Sequence, residues 1–158
     1  MTTISNFQRI LIAIDDSMFS EKATKIGFNL AKTLDAKVAL LNVMDPPSTS
    51  YTGDPLLGQQ PLIIPEVAQL QEDASREILE RYSKAWEGTQ ELTTFSQIGN
   101  PRVVILATAE EWNADLIILG THGRTGFDHF ISGSIAEGVA RRSLCPVLIV
   151  PNKDDDQS

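Results

Sequence analysis

Five short apolar runs alternate with helical patterns along the 158 residues, and this alternation constrains the fold more than any other feature. The first two runs are Arg9-Ile10-Leu11-Ile12-Ala13-Ile14 and Lys37 to Val43; Leu92 to Ile98, Asp115 to Leu119 and Cys145 to Pro151 complete the set. Short continuous apolar runs suit strands of a parallel sheet covered on both faces. The Leu92 to Ile98 run is more polar and reads as an edge strand. Asp16 or Ser17 can cap the first helix, with Glu21 in its first turn and Ala23, Ile26, Gly27, Leu30, Ala31 and Leu34 on one apolar face. A second helix starts at Glu66, sets Val67, Leu70, Ala74, Ile78, Tyr82 and Ala85 on one face, and ends at Gly88. Asn100-Pro101 is a start signal for a third, carrying Val104, Ile105, Ala109 and Trp112. Ser134 and Glu137 have capping-box spacing for a fourth, to about Arg142. Alternating strands and helices give a single α/β sandwich over residues 1–158.

Five of the eight prolines fall at positions 46, 47, 55, 61 and 65, so residues 45–65 read as an irregular loop inside this domain. Residues 152–158 read as an acidic, solvated tail. The net charge of −8 argues against a general nucleic-acid or anionic-membrane binder. No apolar run approaches the ~20 residues that span a bilayer, and Met1 to Gln8 lack a signal-peptide pattern, so a cytoplasmic location is expected. The lone Cys145 excludes an intrachain disulfide and reads as a small buried hydrophobe.

The stretch after the fourth run is rich in glycine: Gly120, two residues, Gly123, nine residues, then Gly133-Ser134. It joins a strand to a helix N-terminus, where glycine lets backbone N–H groups approach a ligand and the helix start adds unpaired donors. Such a loop attracts phosphate, although glycines in a loop also serve simply to turn the chain. The spacing resembles the nucleotide-binding signature of the universal stress protein family, in its ATP-binding branch. The likeness extends over Ile10 to Asp15, Val43, Gly120 to Ser134 and the terminal Pro-Val-Leu-Ile-Val-Pro.

That resemblance implies a three-layer Rossmann-like sandwich, related to the adenine nucleotide alpha hydrolase type, with a five-stranded parallel sheet in the order 3-2-1-4-5. It implies that Asp15 faces a ribose, that backbone near Ala13 and Val43 meets adenine, and that Gly120, Gly123, Gly133 and Ser134 wrap ribose and phosphates. Leu119 and Ile135 flank that loop and are expected in the same site. His122 and Arg124, with Arg102, are candidate phosphate partners by location and charge alone. The chemistry agrees: a carboxylate accepts from ribose hydroxyls, Val43 offers an apolar wall to a purine, and backbone amides match phosphate oxygens. Helix capping is the competing role for Asp15, and Ser134 can cap the last helix with or without a ligand.

Several rivals lack a required residue. A phosphoacceptor receiver domain needs an aspartate after its third strand, where this chain has Ser96-Gln97-Ile98-Gly99. A Walker-type NTPase needs a lysine in its glycine loop, and Gly-Lys-Ser/Thr occurs nowhere. A dinucleotide-binding fingerprint would follow the first strand, not the fourth. No cluster of ligand spacing assigns a resident metal, and no residue is assigned a catalytic role. The expectation is therefore a regulatory module of the stress response that binds ATP, ADP or AMP, with Mg or Mn as a companion ion. A slow Mg-dependent ATPase and a structural dimer with a vestigial pocket are the alternatives. Val147-Leu148-Ile149-Val150 closes the sheet with an apolar edge, which points to a homodimer paired through this strand.

Overall fold

The computed structural model describes residues 6–46, 65–121 and 134–151. They form β1 (Arg9–Ile14), α1 (Met18–Leu34), β2 (Lys37–Met44), α2 (Pro65–Ser83), β3 (Leu92–Ile98), α3 (Pro101–Glu111), β4 (Leu116–Gly120), α4 (Ser134–Arg142) and β5 (Val147–Val150). All strands are parallel, in the order β3-β2-β1-β4-β5. The edge position expected for the polar third strand and the order implied by the family likeness both hold.

The central strands are apolar on both faces because both faces are covered. Ile10, Ile12, Val38, Leu40 and Ile118 pack under α1 and α2. Leu11, Ala39, Leu41, Ile117 and Leu119 pack under α3 and α4. Ile10, Leu11, Ile12, Leu40 and Leu41 are fully buried, and each such side chain contributes roughly 1.5–3 kcal/mol relative to exposure. Cys145 is half-buried against the α3/α4 core rather than sealed within it.

Two helical faces differ from the sequence expectation. In α1 the buried set is Ser20, Ala23, Thr24, Gly27, Phe28 and Ala31, and Ile26 is exposed. The helix rolls onto Gly27, whose missing Cβ would lie 2.5 Å from Cδ1 of Ile12, so the helix axis settles close to the sheet. In α2 the buried residues are Ser75, Ile78 and Leu79, while Leu70 and Ala74 are exposed, as is Ala85 beyond its end. There the Ser75 hydroxyl meets that of Ser96 on β3 at 2.7 Å, a polar seam that apolar periodicity does not register. α2 also stops at Ser83, before Gly88, where Trp86 turns back to donate its indole N–H to the Gln90 carbonyl at 3.0 Å. By contrast Asn100 caps α3 as expected, accepting from the amides of Arg102 and Val103 ahead of a proline at the first position.

Candidate functional site

In a parallel sheet the chain leaves every strand at the same end, so the β–α junctions gather there. The strand order reverses between β1 and β4, the kind of switch point beyond whose strand ends parallel α/β sheets bind ligands. β1 and β4 are in register with Ile12 opposite Ile118, which brings Ile14 level with Gly120. Asp15 therefore begins the β1–α1 junction beside the end of β4. Val43 approaches the end of β2, and Ser134 and Ile135 open α4. Topology thus gathers Asp15, Val43, Gly120 and the start of α4 at one end of the sheet.

Each of these positions has a local cause. Ala13 and Val43 are half-buried and share the face covered by α3 and α4. Leu119 is 4 % exposed, so its side chain belongs to the core and only its backbone is left for a ligand. At Gly120 an added Cβ would stand 3.0 Å from Cβ and 3.2 Å from the carbonyl oxygen of Phe19. The first turn of α1 thus comes close enough that a side chain would have to push it back by a few tenths of an ångström, a packing reason for glycine independent of any ligand. Ile135 is half-buried against the α3/α4 core. His122, Gly123, Arg124 and Gly133 lie outside the described residues, as does the side chain of Ser134.

Asp15 is closely held. Its Oδ1 accepts the amide of Ser17 at 2.8 Å, the hydroxyl of Ser20 at 2.8 Å and the hydroxyl of Ser17. Its own backbone N–H donates to the Ser20 hydroxyl at 2.7 Å. Among the described residues Oδ2 has no hydrogen-bond partner. Ser17, not Asp16, is the N-cap of α1, yet its side chain makes no capping bond. The helix-capping role for Asp15 is met only in part: it serves the amide of Ser17, the N-cap immediately ahead of the helix, with one of its two oxygens. From the sequence, Ser17 was offered only as a helix cap and Ser20 was not singled out; the spacing Asp-x-Ser-x-x-Ser at a helix start was the available signal for their bonds to Asp15. Asn42 was missed as well. It is 4 % exposed on β2 and donates its Nδ2 to the Ile14 carbonyl at 2.9 Å, tying the end of β1 to the strand that carries Val43.

Arg102, at the start of α3, lies across α4, with its Cδ 2.3 Å from where a Cβ on Gly138 would stand. Glu137 pairs with Arg141 at 2.7 Å on the exposed side of α4. A shallow cleft at the opposite end of the sheet is bordered by Lys32, Asp35, Trp86 and Gln90. Its carboxylate is already engaged, since Asp35 Oδ1 accepts from Thr89 at 2.9 Å and Gln90 at 3.0 Å. Among the described residues no helix is long and apolar enough to cross a membrane.

Known proteins of this architecture match the chain closely. It is 35 % identical over 151 residues to the Methanocaldococcus jannaschii universal stress protein MJ0531, covering 94 % of this chain and 85 % of that one. A universal stress protein solved in complex with cAMP superposes with a TM-score of 0.64 at 24 % identity, over 94 % of this chain and all of that one. An Arabidopsis thaliana protein of the family, solved with AMP bound, gives 0.60 at 17 % identity, over 96 % of each chain. The family model described as "Universal stress protein family" matches residues 6–151, from before β1 to the end of β5. With the β3-β2-β1-β4-β5 sheet and the gathered β–α junctions already in place, the chain belongs to the universal stress protein family.

Proposed function

We propose that this chain is a nucleotide-responsive regulatory protein of the stress response that binds an adenine nucleotide in the crevice between the ends of β1 and β4. The observation that carries the reading is the Asp15 carboxylate, held at that crevice through one oxygen while the other has no partner among the described residues. An ionised acceptor with an open oxygen suits ribose hydroxyls. Val43 offers the apolar wall a purine needs, and the N-terminus of α4 favours phosphate through its unpaired N–H groups and dipole. The cAMP and AMP found on the two solved relatives support the same ligand class. ATP, with Mg or Mn, is the proposed cellular ligand, with Gly123, Gly133, Ser134, His122 and Arg124 on its phosphates. The cytoplasm is the proposed compartment.

Calorimetry with ATP, ADP, AMP and cAMP tests the reading, together with mass spectrometry of small molecules released from protein purified without added nucleotide. Sub-millimolar binding of at least one of the four is expected, and no binding at millimolar concentration overturns it. Turnover is expected far below the ~10 s⁻¹ typical of enzymes. A magnesium-dependent rate near that value would make the chain an ATPase instead.

The assembly proposed with it is a two-fold dimer through β5. On that strand Leu148 is 37 % exposed, and just before it Leu144 is 86 % exposed. Identical edge strands related by a two-fold axis pair antiparallel, and Pro146 and Pro151 limit the pairing to the residues between them. Sedimentation should give a dimer at micromolar concentration and a monomer for Leu148→Asp. A wild-type monomer under those conditions overturns it.

A further inference from the structure

Asp15 is held by two hydroxyls whose ordinary uses lie elsewhere. Ser17 occupies the N-cap of α1, where a serine side chain normally accepts from the second or third helical amide and contributes about 1 kcal/mol to the helix. Here it makes no such bond, and its hydroxyl turns back to Asp15 Oδ1. Ser20, one turn on and 5 % exposed, accepts from the Asp15 backbone N–H and donates to the Asp15 carboxylate. One residue thus fixes both the main chain and the side chain of the aspartate. A free aspartate at a helix entry samples three staggered χ1 wells, and a ligand that needs one of them must order it on binding.

We infer that Ser17 and Ser20 are positioning residues for the nucleotide site, holding Asp15 with Oδ1 saturated so that Oδ2 is ready for a ribose hydroxyl before the ligand arrives. The inference rests on the reading of Asp15 as the ribose acceptor. It adds that this contact is pre-set by the β1–α1 turn, at the expense of the helix cap. Ser20 is the stronger of the pair because it controls the backbone as well.

Calorimetry on the full chain tests this with ATP and 2′,3′-dideoxy-ATP against wild type, Ser20→Ala, Ser17→Ala, Asp15→Ala and the Ser20→Ala/Asp15→Ala double variant. Ser20→Ala should weaken ATP about three- to tenfold and the dideoxy analogue less than twofold, because that analogue lacks the hydroxyls. In the Asp15→Ala background the serine change should add nothing, since its effect runs through the carboxylate. Ser17→Ala should shift ATP in the same direction by about two- to threefold. It gives up no capping bond, so it remains informative if Ser20→Ala folds poorly. Equal losses for both nucleotides, an additive double variant, or unchanged ATP affinity in Ser17→Ala and Ser20→Ala overturns the positioning role while leaving the nucleotide reading intact. Tighter ATP binding in Ser20→Ala overturns it too, by showing that the donors act by drawing charge away from Oδ2. Wild-type protein that binds neither nucleotide overturns both readings.

Discussion

Two aspartates bracket β1, and they are used in opposite ways. At the amino end of the strand, Asp115 accepts the amide of Gln8 on Oδ2 at 2.8 Å and that of Arg9 on Oδ1 at 3.0 Å. Both oxygens are occupied by backbone. Arg9 donates its Nε to the Trp112 carbonyl at 2.8 Å, and its guanidinium lies 4.2 Å from the Trp112 ring centre. At the carboxyl end, Asp15 gathers three donors on one oxygen and has none on the other among the described residues. Asp115 stitches the sheet together. Asp15 is braced and left with an acceptor to offer. The contrast separates a structural carboxylate from the one proposed to bind ligand by the satisfaction of each oxygen, where burial or charge alone would rank them alike.

Exchanging the two losses is the most direct way to break this comparison. Asp15→Ala should weaken ATP by about 1.5–3 kcal/mol, roughly ten- to 150-fold, if its carboxylate makes charged hydrogen bonds to the ribose. Asp115→Ala should change ATP affinity less than twofold. Calorimetry on both variants decides it, and equal losses would mean that Asp15 acts on the protein and not on the ligand. The neighbouring strand sharpens the point. Asn42→Leu removes the buried donor to the Ile14 carbonyl and should cost about 1–3 kcal/mol of stability, read as a lower urea midpoint. Its effect on ATP should be smaller than that of Asp15→Ala, because Asn42 supports the strand end and not the acceptor.

The fold was more legible than the site. Runs such as Leu116 to Leu119 are apolar on both faces because both faces are covered, so composition alone marks them as interior strands. Caps such as Asn100 are local and follow from a few adjacent residues. The faces of α1 and α2 were less legible, because the roll of a helix is set by what it rests on: Gly27 against Ile12, and Ser75 against Ser96. At the site, the family likeness singled out Asp15 and the glycine spacing. The bonds of Ser17 and Ser20 to Asp15, and the asparagine beneath it, were not read, because a hydroxyl at a helix start has several partners within reach. Only the folded turn selects among them. Gly120 carries a related lesson, since the close approach of Phe19 favours glycine there whether or not phosphate is bound.

At the amino end the expected effects fall on stability. Asp115→Ala strips the acceptors from two amides, one exposed and one partly buried, and should cost about 1–2 kcal/mol. For a chain of this size that lowers the melting temperature by roughly 2–6 °C, which differential scanning calorimetry resolves. Arg9→Lys should cost less than about 1 kcal/mol, since it keeps the charge and loses the planar stacking on Trp112 and the Nε donor. An Arg9→Lys effect as large as that of Asp115→Ala would shift the weight of this end from the carboxylate to the guanidinium.

The smallest expected effect belongs to Asp35, the exposed carboxylate that ends α1 in the left-handed conformation at φ 53°. The side-chain hydrogen bond from Gln90, followed by that from Thr89, holds its pKa below the ordinary 3.8. A folded pKa lower than the unfolded one means that the ionised form is favoured by folding. Its contribution is fully present above the unfolded value and is lost as pH falls through the folded one. Asn tolerates the left-handed backbone and retains a carbonyl acceptor, so Asp35→Asn removes the charge with little other change. Urea midpoints of wild type and Asp35→Asn should therefore differ slightly at neutral pH and converge as pH falls through the lowered folded pKa. A difference that persists undiminished in acid would show that Asp35 acts through its backbone geometry alone. The clasp of Thr89 and Gln90 on the end of α1 would then owe nothing to charge, unlike the ribose contact proposed for Asp15 at the other end of the sheet.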